Sequence, residues 1–198
     1  MAKEAKKGGM MMYSIANEQC NQFGVCTNSG GAKVNERLIT LLYAGRSELT
    51  AVNCPPLHKT AKEIEMLLQV PLIQSTLSHM LNTGSKPSGG GGSFGALYAF
   101  SRSILPYIEE ADREAAQVIA RNIDFQLQNQ PSNDSLDAAT KALKGTIPKM
   151  GVDCDLVGRL DGRNVCASPA SSRSGSVFWS LLLCAGLSLL GMVVAIVL

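Results

Sequence analysis

Apolar positions along this chain recur every three to four residues, and no stretch alternates long enough to mark a strand. Residues 10–23 form a first helical stretch, ended by Gly24. After a short Asn/Ser/Gly run at 27–31, Val34, Leu38, Leu41 and Leu42 fall at i, i+4, i+7 and i+8, which predicts a second amphipathic helix with Gly45 as its stop. Pro55 and Pro56 break the chain. Ala61, Ile64, Leu67 and Leu68 begin a third apolar face; Pro71 restarts or kinks it, and Leu72, Ile73, Leu77, Met80 and Leu81 carry it to Asn82. The run TGSKPSGGGGS at 83–93 has no apolar anchor and reads as a loop.

Residues 94–108 are apolar on nearly every side (Phe94, Ala96, Leu97, Tyr98, Ala99, Phe100, Ile104, Leu105), the pattern of a buried central helix. In 110–130, Ala116, Ile119, Ile123 and Leu127 share one face. A short helix at 135–144 starts at the cap cluster Asn133-Asp134-Ser135 and stops at Gly145. Residues 146–176, rich in Gly, Ser and Asp, read as an irregular tether. The expectation is an all-α helical bundle around a buried central apolar helix, occupying 1–145.

The strongest single signal is 177–198, VFWSLLLCAGLSLLGMVVAIVL, 22 residues without a charge. As a helix it spans about 33 Å, enough for a hydrocarbon core of about 30 Å. Trp179 sits at an interfacial position, with Arg173 just upstream. This predicts a C-terminal transmembrane helix embedded in the lipid bilayer, and a tail-anchored chain with its N-terminal domain in the cytosol. Ser180, Cys184, Ser188, Gly191 and Ala195 recur at three- and four-residue spacing, a small-residue face that permits helix contact in lipid and a homo-oligomer.

Composition adds mostly exclusions. A net charge of +2 over 198 residues, with no basic stripe, gives no reason to expect nucleic acid as a partner. Of six cysteines, Cys20 and Cys26 are separated by five residues and Cys154 and Cys166 by eleven. Neither spacing is a compact zinc pattern, and a cytosolic domain keeps its thiols reduced, so they read as small buried apolar residues, not as metal ligands. Gly90 to Gly95 satisfies G-x-G-x-x-G, but a helix and loop precede it where a dinucleotide site needs a strand. His58 and His79 lack a carboxylate or cysteine at a telling spacing. No cofactor and no catalytic constellation is expected, and the chain reads as a non-enzyme.

Ser93-Phe94-Gly95-Ala96 followed by Leu97-Tyr98-Ala99-Phe100 resembles the entry to the central helix of the Bcl family of apoptosis regulators, whose first homology motif is Asn-Trp-Gly-Arg before an apolar run with Ala-Phe. Leu41-Leu42-Tyr43-Ala44-Gly45-Arg46 is similar to the family's third homology motif. Residues 13–24 resemble its first helix, 73–84 the helix before the central one, and 128–143 the second-motif region, so the resemblance covers most of the chain in order. Arg46 stands where the family carries Asp, Ala96 where it carries Arg, and the second-motif Trp is missing.

The resemblance implies a regulator of cell death on the mitochondrial outer membrane or endoplasmic reticulum, most simply a survival protein. An apolar groove lined by Leu67, Leu77, Met80, Leu81, Phe94, Gly95, Ala96 and Leu97 would take amphipathic helices of other Bcl-family proteins. Leu41, Gly45 and Arg46 would form a death-motif-like segment. With Ala96 in place of Arg, such a groove binds by apolar contact. The alternatives are a pore-forming executioner of the same family and a membrane-anchored scaffold, cellular or viral, with no groove.

Overall fold

The computed structural model describes residues 11–84, 91–123 and 132–166. The chain divides into two units, Met1–Ala167 and Ser168–Leu198, and the second lies outside the described residues. The first is predominantly helical: α1 (Met12–Phe23), α2 (Lys33–Thr50), α3 (Cys54–Gly84), α4 (Gly91–Ala111), α5 (Arg113–Ile123) and α6 (Asn133–Thr146). A 3-10 turn (Ile147–Met150), a one-turn α7 (Cys154–Val157) and a small antiparallel hairpin, β1 (Arg159–Leu160) with β2 (Arg163–Asn164), follow. The all-α expectation holds for the described residues apart from that hairpin.

α1 ends at Gly24, whose φ of 66° turns the chain back so that Val25 N–H donates to the Cys20 carbonyl at 2.9 Å. α2 does not stop at Gly45. That glycine faces α3, where an added Cβ would stand 3.4 Å from Thr60 Cγ2, so its place is a close helix crossing and not a terminus. Pro55 and Pro56 likewise open α3 instead of breaking the chain, since the first helical turn has no amide hydrogen bond to lose.

α3 runs 31 residues, about 46 Å, and continues through Pro71 without ending there. It packs against α1, α2, α4, α6 and α7, and from Gln69 to Met80 every side chain but those of Leu72 and His79 is buried. It is therefore α3, and not 94–108, that occupies the centre. α4 buries one stripe only, Phe94, Leu97, Ser101, Ile104 and Ile108, and leaves Gly95, Ala99 and Arg102 exposed. The buried half of α3 is unusually polar, and its polar groups are what tie distant segments to it. Ser78 donates to Gln22 of α1 at 2.7 Å, and Gln74 Nε2 donates to the Val157 carbonyl of α7 at 2.9 Å.

α5 begins at Arg113, capped by Asp112, which accepts from the Ala115 amide at 3.0 Å and pairs with Lys149. Residues 124–130 of the expected helix lie outside the described residues. α6 is capped one residue earlier than expected, by Ser132, and passes through Gly145 to Thr146.

The segment after α6 corrects the expected tether. Ile147, Val152, Leu156, Val157, Leu160 and Val165 are buried in the same core as α1 and α3. Asp161 and Gly162, at φ 51° and 75°, make the two-residue turn of the hairpin, a conformation that Asp-Gly favours. Gly158 seats the segment: at φ 89°, an added Cβ would lie 2.3 Å from the Phe23 carbonyl oxygen and 2.6 Å from Val25 Cγ1.

Four of the cysteines are not reduced thiols. Cys20 is bonded to Cys26, closing the turn after α1, and Cys154 to Cys166, closing α7 and the hairpin. Cys54, exposed at the start of α3, is the free cysteine among the described residues.

Candidate binding surface

The residues expected to line a groove are mostly core. Leu67, Leu77, Met80, Phe94 and Leu97 are all buried, Leu81 and Ala96 are half-buried, and Gly95 is exposed. α3 and α4 pack on each other, and the buried five belong to one hydrophobic core, so these side chains hold the fold.

The death-motif-like segment is placed otherwise. Leu41 is half-buried against α3 with Leu38, Gly45 faces Thr60, and Arg46 is exposed. The expected membrane-helix residues, Ser180, Cys184, Ser188, Gly191 and Ala195, lie outside the described residues. Among those residues no helix is long and apolar enough to cross a membrane.

The surface that sequence reasoning missed is the outer face of α2. Its inner edge is held to the domain by ionic and polar contacts. Arg37 pairs with Glu63 of α3 and reaches Asp153 at 3.5 Å, and Glu48 accepts from Thr60 at 3.2 Å. Outward, Ile39 (43% exposed), Leu42 (54%), Tyr43 (70%) and Leu49 (64%) stand in solvent, with Val52 (80%) just past the helix end. Ile39, Leu42, Tyr43 and Arg46 line one shallow depression. Single exposed apolar side chains are ordinary, but several within four turns of one helix form a patch, the usual mark of an interaction site. A signal was present: LITLLYA at 38–44 holds six apolar residues in seven, more than one buried stripe can use. Leu42, assigned from its spacing to the inner face, is in fact on the outer side.

No known protein family, curated protein or solved structure matches the chain. The geometry therefore carries the functional argument.

Among the described residues, the candidate catalytic groups stand apart. His79 is half-buried and stacks on Phe100 with ring centroids 5.4 Å apart; burial lowers its pKa below the usual value. Its Nδ1 has no hydrogen-bond partner, and neither has the buried hydroxyl of Ser75 one turn earlier, so the two form no nucleophile–base pair. Among the described residues no three His, Cys, Asp or Glu side chains come together to hold a metal ion.

Proposed function

We propose that this chain is a membrane-tethered binding module, in which a disulfide-locked helical domain offers the outer face of α2 to a protein partner. The observation that carries this reading is the exposed apolar cluster Ile39, Leu42, Tyr43, Leu49, beside a core that buries Leu67, Leu77, Met80, Phe94 and Leu97 of the expected groove. The tether is the uncharged segment 177–198. A photo-crosslinking amino acid placed at Tyr43 in the full chain, in its native membrane, tests it. Protein adducts at position 43, and none from an equivalent label at exposed Lys141, are expected; adducts to lipid alone would overturn it.

The two disulfides support an orientation opposite to the expected cytosolic one, with the domain on the oxidising side of the membrane. A membrane-impermeant maleimide checks this in sealed membranes of known orientation: it should reach exposed Cys54 only from the lumenal or extracellular side, and labelling from the cytosolic side would return the domain to the cytosol.

A second reading within the Bcl resemblance is favoured by one fact, that the exposed patch falls on the segment similar to the third homology motif, 41–46. In that reading α2 is the helix donated to a partner's groove, and the domain itself supplies no groove. A peptide of residues 33–52 binding a survival-type groove, with binding lost on Leu42→Glu, would support it.

A further inference from the structure

The outer face of α2 has a charge pattern that a second copy of the same face would complement. Resting on the reading of α2 as a docking surface, we propose that its occupant is α2 of another copy of this chain, packed antiparallel about a two-fold axis that crosses the outer face level with position 41. A two-fold interface must be self-complementary: wherever residue i meets residue j, j also meets i. On α2 the exposed residues Glu36, Ile39, Tyr43 and Arg46 are spaced three, four and three apart, one continuous stripe. Laid antiparallel with position 41 opposite itself, Ile39 meets the second copy's Tyr43, and Glu36 meets its Arg46. Each contact occurs twice. Two apolar pairs then fill the centre of a stripe about 15 Å long, and an acid–base pair closes each end.

Other registers lose this match. Shifting the axis to lie between Leu42 and Tyr43 sets Ile39 against Arg46 and Glu36 against Leu49, leaving both charges opposite apolar groups. A parallel arrangement sets Glu36 against Glu36 and Arg46 against Arg46, which repels at both ends. The residues that hold α2 to its own domain, Val34, Leu38, Leu41, Gly45, Arg37 and Glu48, are on the other side and take no part.

One helix face is smaller than the roughly 800 Å² per partner of a standard stable interface, so the contact is weak between free domains. Two copies anchored in one bilayer meet at a raised effective concentration, which is where a weak self-complementary face becomes occupied.

Charge reversal with rescue tests the register. The full chain, carrying Cys54→Ser and Cys184→Ala so that neither unpaired thiol can bridge copies, is reconstituted in vesicles at known surface density, and self-association is read by energy transfer between labelled copies. Glu36→Arg alone and Arg46→Glu alone each turn two attractive pairs into two repulsive ones, and each should weaken association by about tenfold. The double variant Glu36→Arg/Arg46→Glu should restore it to within about threefold of the parent, as should mixing the two single variants. Circular dichroism melts of every variant confirm that the domain is folded. Failure of both rescues, or a parent that does not associate, overturns the proposal. The adduct at position 43 separates this outcome from failure of the docking surface itself. An adduct of twice the chain's mass agrees with a second copy, one to a different protein refutes the dimer and leaves the docking face standing, and none at all refutes both.

Discussion

Removing the Cys154–Cys166 bond is the perturbation that bears most directly on where this domain works. The bond spans 12 positions and encloses α7, the hairpin and the Gly158 contact with α1. Opening a loop of that size returns roughly 9–10 cal/mol/K to the unfolded chain, so Cys154→Ala/Cys166→Ala should cost about 2.8 kcal/mol at 25 °C. For a domain of this size that is a fall in melting temperature of roughly 6–11 °C. Cys20–Cys26, which spans six positions, should be worth somewhat less, about 2.2 kcal/mol. The assay is thermal unfolding of parent and variant with and without reductant. When reduced, the parent should fall past the unreduced variant to the level of the reduced one, and the variant should lose only what its remaining bond contributes. Amide exchange adds a local reading: residues 152–165 should open first. Alkylation without reductant that modifies Cys154 and Cys166 as readily as Cys54, or a melting shift under about 2 °C, would refute both the bond and the compartment argued from it.

Three further changes probe how the segment after α6 is held and how the core responds to pH. Gly158→Ala combines a backbone conformation that side chains rarely adopt with a Cβ thrust at the Phe23 carbonyl; it should cost about 2–6 kcal/mol in urea unfolding, and a neutral result would mean that the hairpin is not seated on α1. Gln74→Leu removes the donor to the Leu156 and Val157 carbonyls and should cost about 1–3 kcal/mol, with exchange accelerated at 154–158; loss without that local signature would assign Gln74 to packing alone. Burial holds the pKa of His79 below 6.5, so the folded chain binds this proton less well than the unfolded one. Its stabilising share is complete above pH 6.5 and is lost as pH falls below it, and His79→Phe should flatten that part of the stability–pH curve.

The sequence made the helices legible where periodicity and punctuation agree. α1 with Gly24, and the inward stripe of α5, needed only local rules. Three kinds of position were misread because a local rule met a tertiary fact. Gly45 looks like a stop, yet a glycine also serves where two helices cross closely, and nothing local separates the two uses; Gly145, with open space around it, is simply tolerated inside α6. Leu160-Asp161-Gly162-Arg163 is a clear hairpin signal, hidden by the assumption that a Gly- and Ser-rich stretch before an apolar segment must be a linker. The cysteines were read through an assumed compartment, and the pairing shows that the inference should run from the bond to the compartment.

Misplacing the central helix had a different cause, and it governs the functional conclusion. Apolar content measures what a helix can bury, whereas the number of neighbours decides what it does bury. α4 is the more apolar helix, yet it contacts fewer elements than α3, so Tyr98, Phe100 and Leu105 remain half in solvent. α3 is surrounded, and it tolerates Gln74, Thr76 and Ser78 inside because each finds an acceptor: α7 for Gln74, its own helix for Thr76, α1 for Ser78. Those bonds draw α1 and the disulfide-closed segment onto α3. α2 receives no second layer, because nothing in the described residues packs outside it. Its surplus of apolar positions, unneeded for the fold, is then a surface with free energy still to gain by association.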